Sequence, residues 1–290
     1  MAKSVSLSDQ IYKYLKKYGI VGYNQKKNLG GVHPLVISTL FLCFTSVLAS
    51  SGRRLVKTRV KHGLWRDVAL EFIATAELCA CCFELIIVAD NYGVSTYALF
   101  LFLLTIWWSL NWENATACPY NAVEEVFMGS KGIIEAFMMI AAQVLGGVVI
   151  FSYVQMLWIM ELAETHKGRA FEECVADLNV PMITGAIIEG TATCLCRIVS
   201  RGLNDMNLPL ATVLDALFAT TLVVAAFNFS GGYFNPALAT SLKLGCKGHN
   251  FTEHMVVYWL GATVGSLMSV FLYRLPVIQR VVNKRKYKKT

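Results

Sequence analysis

Long stretches with few charged residues constrain this chain more than any other feature. The runs lie at 35–51, 69–89, 97–112, 136–160, 181–196, 206–242 and 255–273. A helix of roughly 20 mostly apolar residues crosses the hydrocarbon core of a membrane. Because the composition is also 56% hydrophobic and only 16% charged, the sequence predicts an all-α, polytopic membrane protein.

Prolines and glycines divide two of these regions further. The 206–242 run is too long for one crossing, and Gly231-Gly232 and Pro236 break it into a full helix and a shorter one. Pro119 opens a similar short apolar segment after the 97–112 run. We therefore expect two short helices that enter the membrane and return, together with six spans at 69–89, 95–112, 132–158, 181–200, 208–228 and 255–273. The run at 35–51 either crosses the membrane as an additional helix or dips into it.

Basic residues predict the orientation, because short cytosolic loops carry an excess of Lys and Arg. The stretch 52–68 contains six basic residues, and the tail 274–290 contains seven with no acidic residue. Both are expected in the cytosol, and the acidic loop 159–180 then lies on the opposite side. The basic residues flank apolar runs rather than forming a separate surface, so we expect no nucleic-acid partner.

The chain contains an internal repeat. Glu71 opens the sequence EFIAT in one span, and Glu189 opens EGTAT in another. Glu71 precedes Pro119 by 48 residues, and Glu189 precedes Pro236 by 47. Each half has three spans, so the two halves have opposite orientations. An inverted repeat with discontinuous helices is typical of channels and transporters.

The repeat predicts the domain organisation. We expect an N-terminal region with an extra helix and a basic loop, a first repeat, an acidic loop, a second repeat and a basic tail. Their bounds are 1–68, 69–158, 159–180, 181–273 and 274–290.

Asn235 and Cys118 directly precede the prolines of the two short helices. The Asn235 side-chain oxygen is suited to cap its helix, which leaves its amide group to donate to a solute in a pore. The positive end of the helix points to the same place and opposes cations and protons. The alternative is an ordinary Asn-Pro turn. Cys118 is a weaker donor and acceptor, and its alternative is a packed thiol without solute contact.

Several motifs carry a resemblance to a family. The sequence GGYFNPA at 231–237 resembles the second Asn-Pro-Ala box of the aquaporins. VYWLG at 257–261 and AQVLG at 142–146 are similar to their sixth and third spans. The first box departs from the family, since it reads Cys118-Pro119-Tyr120. That departure, the extra N-terminal run and the cysteine-rich first span resemble the superaquaporins, the aquaporin-eleven and aquaporin-twelve group.

The resemblance implies a right-handed bundle of six spans and two half-helices, assembled as a homotetramer. It implies that Glu71 and Glu189 accept hydrogen bonds from the loops that lead into the half-helices, with a proton relay as the alternative. It also implies two boxes and one constriction. The boxes are Cys118, Pro119 and Tyr120, and Asn235, Pro236 and Ala237; the constriction is Ala98, Val223, Gly232 and Leu238. Leu238 stands where the family commonly has Arg, and its alternative is plain packing.

Cys174 and Cys246 are the cysteines expected in non-cytosolic loops, on an oxidising side if the protein enters the secretory pathway. A disulfide between them is one outcome. Two free thiols, or pairing between subunits, are the others.

The function predicted from these features is a passive channel for water and small neutral solutes such as glycerol and hydrogen peroxide. One alternative is a non-conducting membrane scaffold with the same fold. Another is an intramembrane hydrolase or acyltransferase, but no Ser/His pair or paired aspartates support an enzyme. We expect no cofactor, and no metal because the five histidines lack metal-ligand spacing.

The tail ends KYKKT, in which Lys286 and Lys288 fit a dilysine signal for return to the endoplasmic reticulum. The alternative is a basic tail that binds anionic lipid. We favour residence in the endoplasmic reticulum or another intracellular membrane. Lys286→Ser with Lys288→Ser should release the protein to the cell surface, measured by surface biotinylation. An unchanged distribution would leave only the lipid interpretation.

Overall fold

The computed structural model describes residues 31–286, which form ten main helices and, within the connection 160–181, two short 3-10 helices, Glu164–His166 and Arg169–Phe171. The main helices are α1 Pro34–Arg59, α2 Leu64–Tyr92, α3 Val94–Asn111, α4 Pro119–Phe127, α5 Ile133–Ile159, α6 Met182–Asp205, α7 Ala211–Ser230, α8 Pro236–Lys243, α9 Phe251–Tyr273 and α10 Pro276–Lys286. Within this range, all but α4, α8 and α10 are long and apolar enough to cross a membrane. The predicted all-α architecture of six spans, two short helices and an additional N-terminal helix is confirmed.

The half-helices α4 and α8 meet head to head in the middle of the bundle. Each begins with a proline, whose ring fixes a backbone angle suited to the first helical turn. Proline lacks an N–H group, but an N–H group at this position would have no acceptor within the helix. The Asn235 Nδ2 atom donates to the Ala117 carbonyl oxygen at 2.8 Å. The loops that precede the two half-helices are therefore in direct contact.

The bundle has two chemically different ends. The basic end carries the connections 60–63, 128–132 and 206–210 and the start of the tail. The disulfide end carries the connections 160–181 and 244–250.

Glycines allow the closest approaches of backbone. Gly93 is the single residue between α2 and α3, and its φ of 82° lies in the region that favours glycine. A Cβ atom on Gly265 of α9 would lie 1.9 Å from the Gly190 carbonyl oxygen of α6. These helices therefore cross with their backbones in contact, as the corresponding helices α2 and α5 do at Gly146.

The additional helix α1 is longer than the apolar run at 35–51 predicts. It continues to Arg59, so most of the basic stretch 52–68 is helical and only 60–63 connects α1 to α2. The expectation of a basic loop over 52–68 is therefore corrected. The prediction ended the helix at the first arginines, but Arg53 is only 2% exposed and has a partner inside the bundle.

That partner is Glu77 of α2, which is 1% exposed. The Arg53 guanidinium bonds to Glu77 Oε2 and to the Ser50 hydroxyl. The indole nitrogens of Trp107 and Trp112 donate to the same carboxylate at 3.2 and 2.9 Å. Because every charge in this cluster has a hydrogen-bonded partner, the pair is tolerated away from water.

Two further contacts attach α1 to the bundle. The hydroxyls of Thr45 and Tyr153 lie 2.9 Å apart, which links α1 to α5. At the basic end, Lys57 forms an ion pair with Glu113 and holds the pKa of that carboxyl below its usual range. As a result, 72% of the apolar segment of α2 is buried, against 22% of that of α6, its counterpart in the repeat.

The connection 160–181 is fixed to the bundle by a buried histidine. His166 is 2% exposed, and its Nε2 atom lies 2.9 Å from Glu84 Oε1 of α2. Trp158 donates to the other oxygen of this carboxylate at 2.9 Å. The acidic loop therefore lies against the bundle at the disulfide end.

The helix α10 follows α9 at the basic end, where Val282 lies against Gly202 of α6. Of the two lysines of the expected retrieval signal, Lys286 ends α10. Lys288 lies outside the described residues.

Replacing one partner of the Arg53–Glu77 pair should strongly destabilise the fold. Arg53→Met leaves a buried carboxylate without its counter-charge, which costs about 3–5 kcal/mol of unfolding free energy. Arg53→Met with Glu77→Gln should recover most of that loss, because no buried charge remains. The measurement is unfolding in mixed micelles by titration with sodium dodecyl sulfate, followed by circular dichroism.

Arg54→Met is the matched control, since Arg54 is the exposed neighbour on the same helix. Its unfolding free energy should change by less than about 0.5 kcal/mol. Equal, small effects of Arg53→Met and Arg54→Met would contradict a stabilising role for the buried pair.

Candidate functional site

A cavity of about 430 Å³ runs between the two repeats and past the junction of the half-helices. Its walls come from α2, α3, α6 and α7, with the loops that precede α4 and α8. Asp90 and Asp177 line it toward the disulfide end, and Arg197 and Asp215 line it toward the basic end. The cavity therefore passes the amino-terminal ends of both half-helices.

Asn235 lies at the centre of this cavity and caps α8. Its Oδ1 atom accepts from the backbone N–H groups of Ala237 and Leu238, at 3.0 and 3.3 Å. One N–H of its amide donates to the Ala117 carbonyl oxygen, which leaves the second for a solute. The sequence predicted that both N–H groups of this amide would be free, but one of them is used inside the protein.

Cys118 occupies the equivalent position before α4 but makes no side-chain cap. It is 4% exposed and lines the cavity, as Tyr120 does. The remaining box residues Pro119, Pro236 and Ala237 form the first turns of the half-helices. At the two capping positions, the junction therefore offers an amide donor before α8 and a thiol before α4.

Glu71 and Glu189 hold the two loops in place. Glu71 accepts from the backbone N–H groups of Thr116 and Ala117, at 2.9 and 2.8 Å. Glu189 accepts from those of Tyr233 and Phe234, at 3.2 and 2.7 Å. Both carboxylates are buried, and Gln143 and Ser230 provide further donors to Glu71 and Glu189.

The loop residues that these carboxylates bind have an unfavourable backbone conformation. Ala117 has a φ of 50° and Phe234 a φ of 47°, each directly before a cap residue. Such left-handed conformations of non-glycine residues cost about 1–3 kcal/mol each. The hydrogen bonds that Glu71 and Glu189 accept from these loops offset this cost. The sequence did not indicate the left-handed conformation of either loop residue.

The mouth at the disulfide end differs in one position from the expected constriction. Val223, Gly232 and Leu238 line the cavity, whereas Ala98 does not and its neighbour Tyr97 lines it instead. One residue turns a helix by about 100°, so an error of one position moves a side chain to another face. The Tyr97 and Phe227 rings lie 5.2 Å apart, which makes this mouth aromatic.

A polar network braces the same mouth. The Tyr233 hydroxyl donates to Asp177 at 2.5 Å, and Lys243 Nζ lies 3.0 Å from the other oxygen of that carboxylate. Cys174 and Cys246 form a disulfide with their Cα atoms 4.9 Å apart, beside the backbone bonds that join 174–176 to Lys247. Burial lowers the pKa of His249 in this connection, so its imidazole is neutral at pH 7.

The basic-end half of the cavity contains a charged cluster that the sequence analysis missed. Glu124 of α4 is 1% exposed and pairs with Arg197 and Arg201 of α6, both at 2.6 Å. Asp215 of α7 accepts from the Ser200 hydroxyl at 2.6 Å. An acidic residue inside a half-helix was the signal for this cluster, since such a residue requires a buried partner.

Comparisons with known proteins find relatives over most of the chain. Aquaporin-11 from Milnesium tardigradum is 29% identical over 240 residues, which cover 82% of this chain and 87% of that protein. Aquaporin-12 from Mus musculus is 27% identical over 248 residues, covering 83% and 86%. Aquaporin-11 from Homo sapiens is 25% identical over 242 residues, covering 81% and 88%. No protein-family model matches the chain.

Among solved structures, the aquaglyceroporin from Plasmodium falciparum aligns with a TM-score of 0.45 and 14% identity, covering 85% of this chain and 97% of that one. The matches to aquaporin-11 and aquaporin-12 confirm the resemblance to the aquaporins and to their superaquaporin branch. The chain is a multi-pass membrane protein related to a family of channels.

Removing the disulfide should weaken the mouth at the disulfide end. Cys174→Ser with Cys246→Ser should lower the unfolding free energy by about 2–4 kcal/mol, because the bond closes a long loop. The measurement is unfolding in mixed micelles under non-reducing conditions. Cys43→Ser on the exposed face of α1 is the control and should have little effect. Alkylation of both Cys174 and Cys246 in the native protein would contradict the pairing.

Proposed function

We propose that this protein is a passive channel for water and small neutral solutes such as glycerol and hydrogen peroxide. The observation that carries the proposal is the free amide N–H of Asn235, at the meeting point of two half-helices, in a cavity lined by both repeats. Solute molecules that pass this point in single file meet one strong hydrogen-bond donor, the Asn235 amide, which binds the oxygen of each molecule transiently.

The electrostatics of the junction favour neutral solutes. The N-terminal ends of α4 and α8 both point at the junction, and each carries a partial positive charge. Together they oppose the entry of cations and the hopping of protons along a water chain. The mouth at the disulfide end contains aromatic and aliphatic side chains, including Tyr97 and Leu238, together with the acidic Asp90 and Asp177, which oppose anions.

The thiol of Cys118 supports slow permeation. In a pore with an amide on both half-helices, the solute oxygen is oriented from two sides. Here the capping position before α4 carries a thiol instead of an amide, and the α4 cap is missing as well. We therefore expect water permeability that is real but low.

The acidic residues in the spans favour a channel over an intramembrane enzyme. Glu71 and Glu189 bind loop backbone, Glu77 binds Arg53, and Glu84 binds Trp158. Each of these four carboxylates has a structural partner, so none of the four is poised as a free nucleophile or base.

The proposal extends to sidedness, location and assembly. The basic end faces the cytosol, because it carries the Lys- and Arg-rich connections and tail. The disulfide end then faces an oxidising compartment, in keeping with the Cys174–Cys246 bond. The dilysine tail supports residence in the endoplasmic reticulum, and the resemblance to aquaporins supports a homotetramer.

A non-conducting scaffold is the second candidate function. The observation in its favour is the aromatic lining, in which the Trp108 and Trp112 rings stack 5.3 Å apart beside the thiol of Cys118. Such a lining narrows the pore and offers few hydrogen bonds to water.

Osmotic swelling of proteoliposomes that contain only this protein separates the two functions. Wild-type protein should pass water above the rate of protein-free vesicles. Cys118→Asn should raise the permeability by up to about tenfold, since one added hydrogen bond is worth roughly 0.5–1.5 kcal/mol. Asn235→Ala should lower it. No permeation by wild type or by Cys118→Asn would favour the scaffold.

A mercurial should block the wild-type channel, and Cys118→Asn should abolish the block. Cys43→Ser is the matched control, because Cys43 lies on the exposed face of α1 and its loss should leave the block unchanged. The cavity is also lined by Cys82 and Cys196. Block that persists in Cys118→Asn would move the target to one of these two thiols.

A further inference from the structure

The charged cluster at the basic end of the cavity fixes one guanidinium group very firmly. Arg197 Nε donates to Glu124 Oε1 at 3.0 Å, and Arg197 Nη2 donates to Oε2 at 2.6 Å. The guanidinium carbon lies 5.9 Å from the centre of the Tyr120 ring. A bidentate carboxylate and an aromatic ring together leave this side chain little freedom.

The same contacts leave part of Arg197 facing the cavity. Its Nε and Nη2 atoms are used by Glu124, so the two N–H groups of Nη1 remain for the pore that Arg197 lines. Arg201 behaves differently. Its Nη1 atom donates to Ser269 at 3.0 Å, and the described residues that line the cavity do not include it.

The internal repeat shows that the fold does not require a charge at this place. In the spans, Arg197 corresponds to Cys79, which lies 118 residues earlier, as Glu189 corresponds to Glu71. In the half-helices, Glu124 corresponds to Ser241, which lies 117 residues later. Cys79 and Ser241 are in contact and neutral. Each pair joins a half-helix of one repeat to a span of the other, and a neutral thiol and hydroxyl suffice between α2 and α8. Packing at this place therefore does not require the charges that α4 and α6 carry.

Four charged groups lie around this part of the cavity: Arg197, Arg201, Glu124 and Asp215. Glu124 is enclosed beneath the two guanidiniums and is 1% exposed. Asp215 lies four residues, or about 6 Å, from the basic-end terminus of α7, whereas Arg197 lies eight residues, or about 12 Å, from that of α6. A solute from the basic end therefore meets Asp215 first and Arg197 more deeply.

We propose that Arg197 is the cation-excluding residue of this pore and the second hydrogen-bond donor to a passing solute. This inference rests on the proposed channel function. Leu238 provides no positive charge at the opposite mouth, where the cavity lining includes acidic residues. Cys118 provides no strong donor at the junction. Arg197 provides both on the basic-end side. Asp215, nearer the mouth, opposes anions, so the two charges in series select neutral molecules.

The test compares two double variants in proteoliposomes that carry a potassium gradient. Arg197→Met with Glu124→Gln removes the cavity-facing charge without leaving an unpaired buried carboxylate. Arg201→Met with Glu124→Gln makes the same change in net charge but keeps Arg197. The variant without Arg197 should raise the K⁺ flux at least about tenfold over wild type. The variant that keeps Arg197 should show the same low K⁺ flux as wild type.

Osmotic swelling of the same vesicles distinguishes a failure of the proposed channel function from a failure of the role assigned to Arg197. If wild type passes no water, the proposed channel function fails. If wild type passes water and both double variants exclude K⁺, or both leak equally, the assignment of Arg197 is overturned.

Arg197→His provides a second variant if the double substitution does not fold. A histidine beside Glu124 is charged at about pH 6 and neutral at about pH 9. The K⁺ flux should therefore be low at the acidic pH and should rise at the alkaline pH, whereas wild type should show no such change. A flux independent of pH in Arg197→His would contradict the proposal.

Discussion

The structure depends on how backbone polar groups are satisfied where the chain leaves helical geometry inside the membrane. A lipid environment offers no water to unpaired N–H and C=O groups, so irregular backbone persists there only with protein partners. Glu71 and Glu189 supply those partners to the loops before α4 and α8. The same carboxylates stabilise the left-handed conformations of Ala117 and Phe234, and these turn the chain into the half-helices. The position of Asn235 and Cys118 follows from this arrangement.

Three acidic side chains inside the bundle share one arrangement, in which a buried carboxylate accepts several N–H donors. Glu77, Glu84 and Glu124 are each almost completely buried, and each accepts several charged or aromatic N–H donors. These clusters join elements that are distant in sequence: α1 to α2, α2 to the 160–181 connection, and α4 to α6. Polar contacts therefore determine which helices pack together, because apolar surface alone is as well accommodated by lipid as by protein.

The sequence predicted those features that have a local signal. The prolines at 119 and 236 marked the half-helices, and the spacing of Glu71 and Glu189 from them revealed the repeat. Long-range pairing has no local signal. The sequence therefore predicted that the span would end before Arg53, whereas Arg53 continues the helix and forms an ion pair with Glu77. The mouth residue Ala98 was misplaced because α3 is apolar on every side, and its sequence does not indicate which face meets the cavity. Arg197 was missed for the same reason as Arg53.

The buried pair between α1 and α2 has a consequence for biosynthesis. Arg53 lies six residues, or about 9 Å, inside the end of α1, where an unpaired guanidinium is costly in lipid. Its carboxylate partner emerges from the ribosome 24 residues later, and the indoles of Trp107 and Trp112 follow after another 30 and 35 residues. The first helix is therefore not settled in the bilayer on its own. We therefore expect the translocation machinery to retain α1 until α2 and α3 arrive, so that the three helices enter the lipid as one unit.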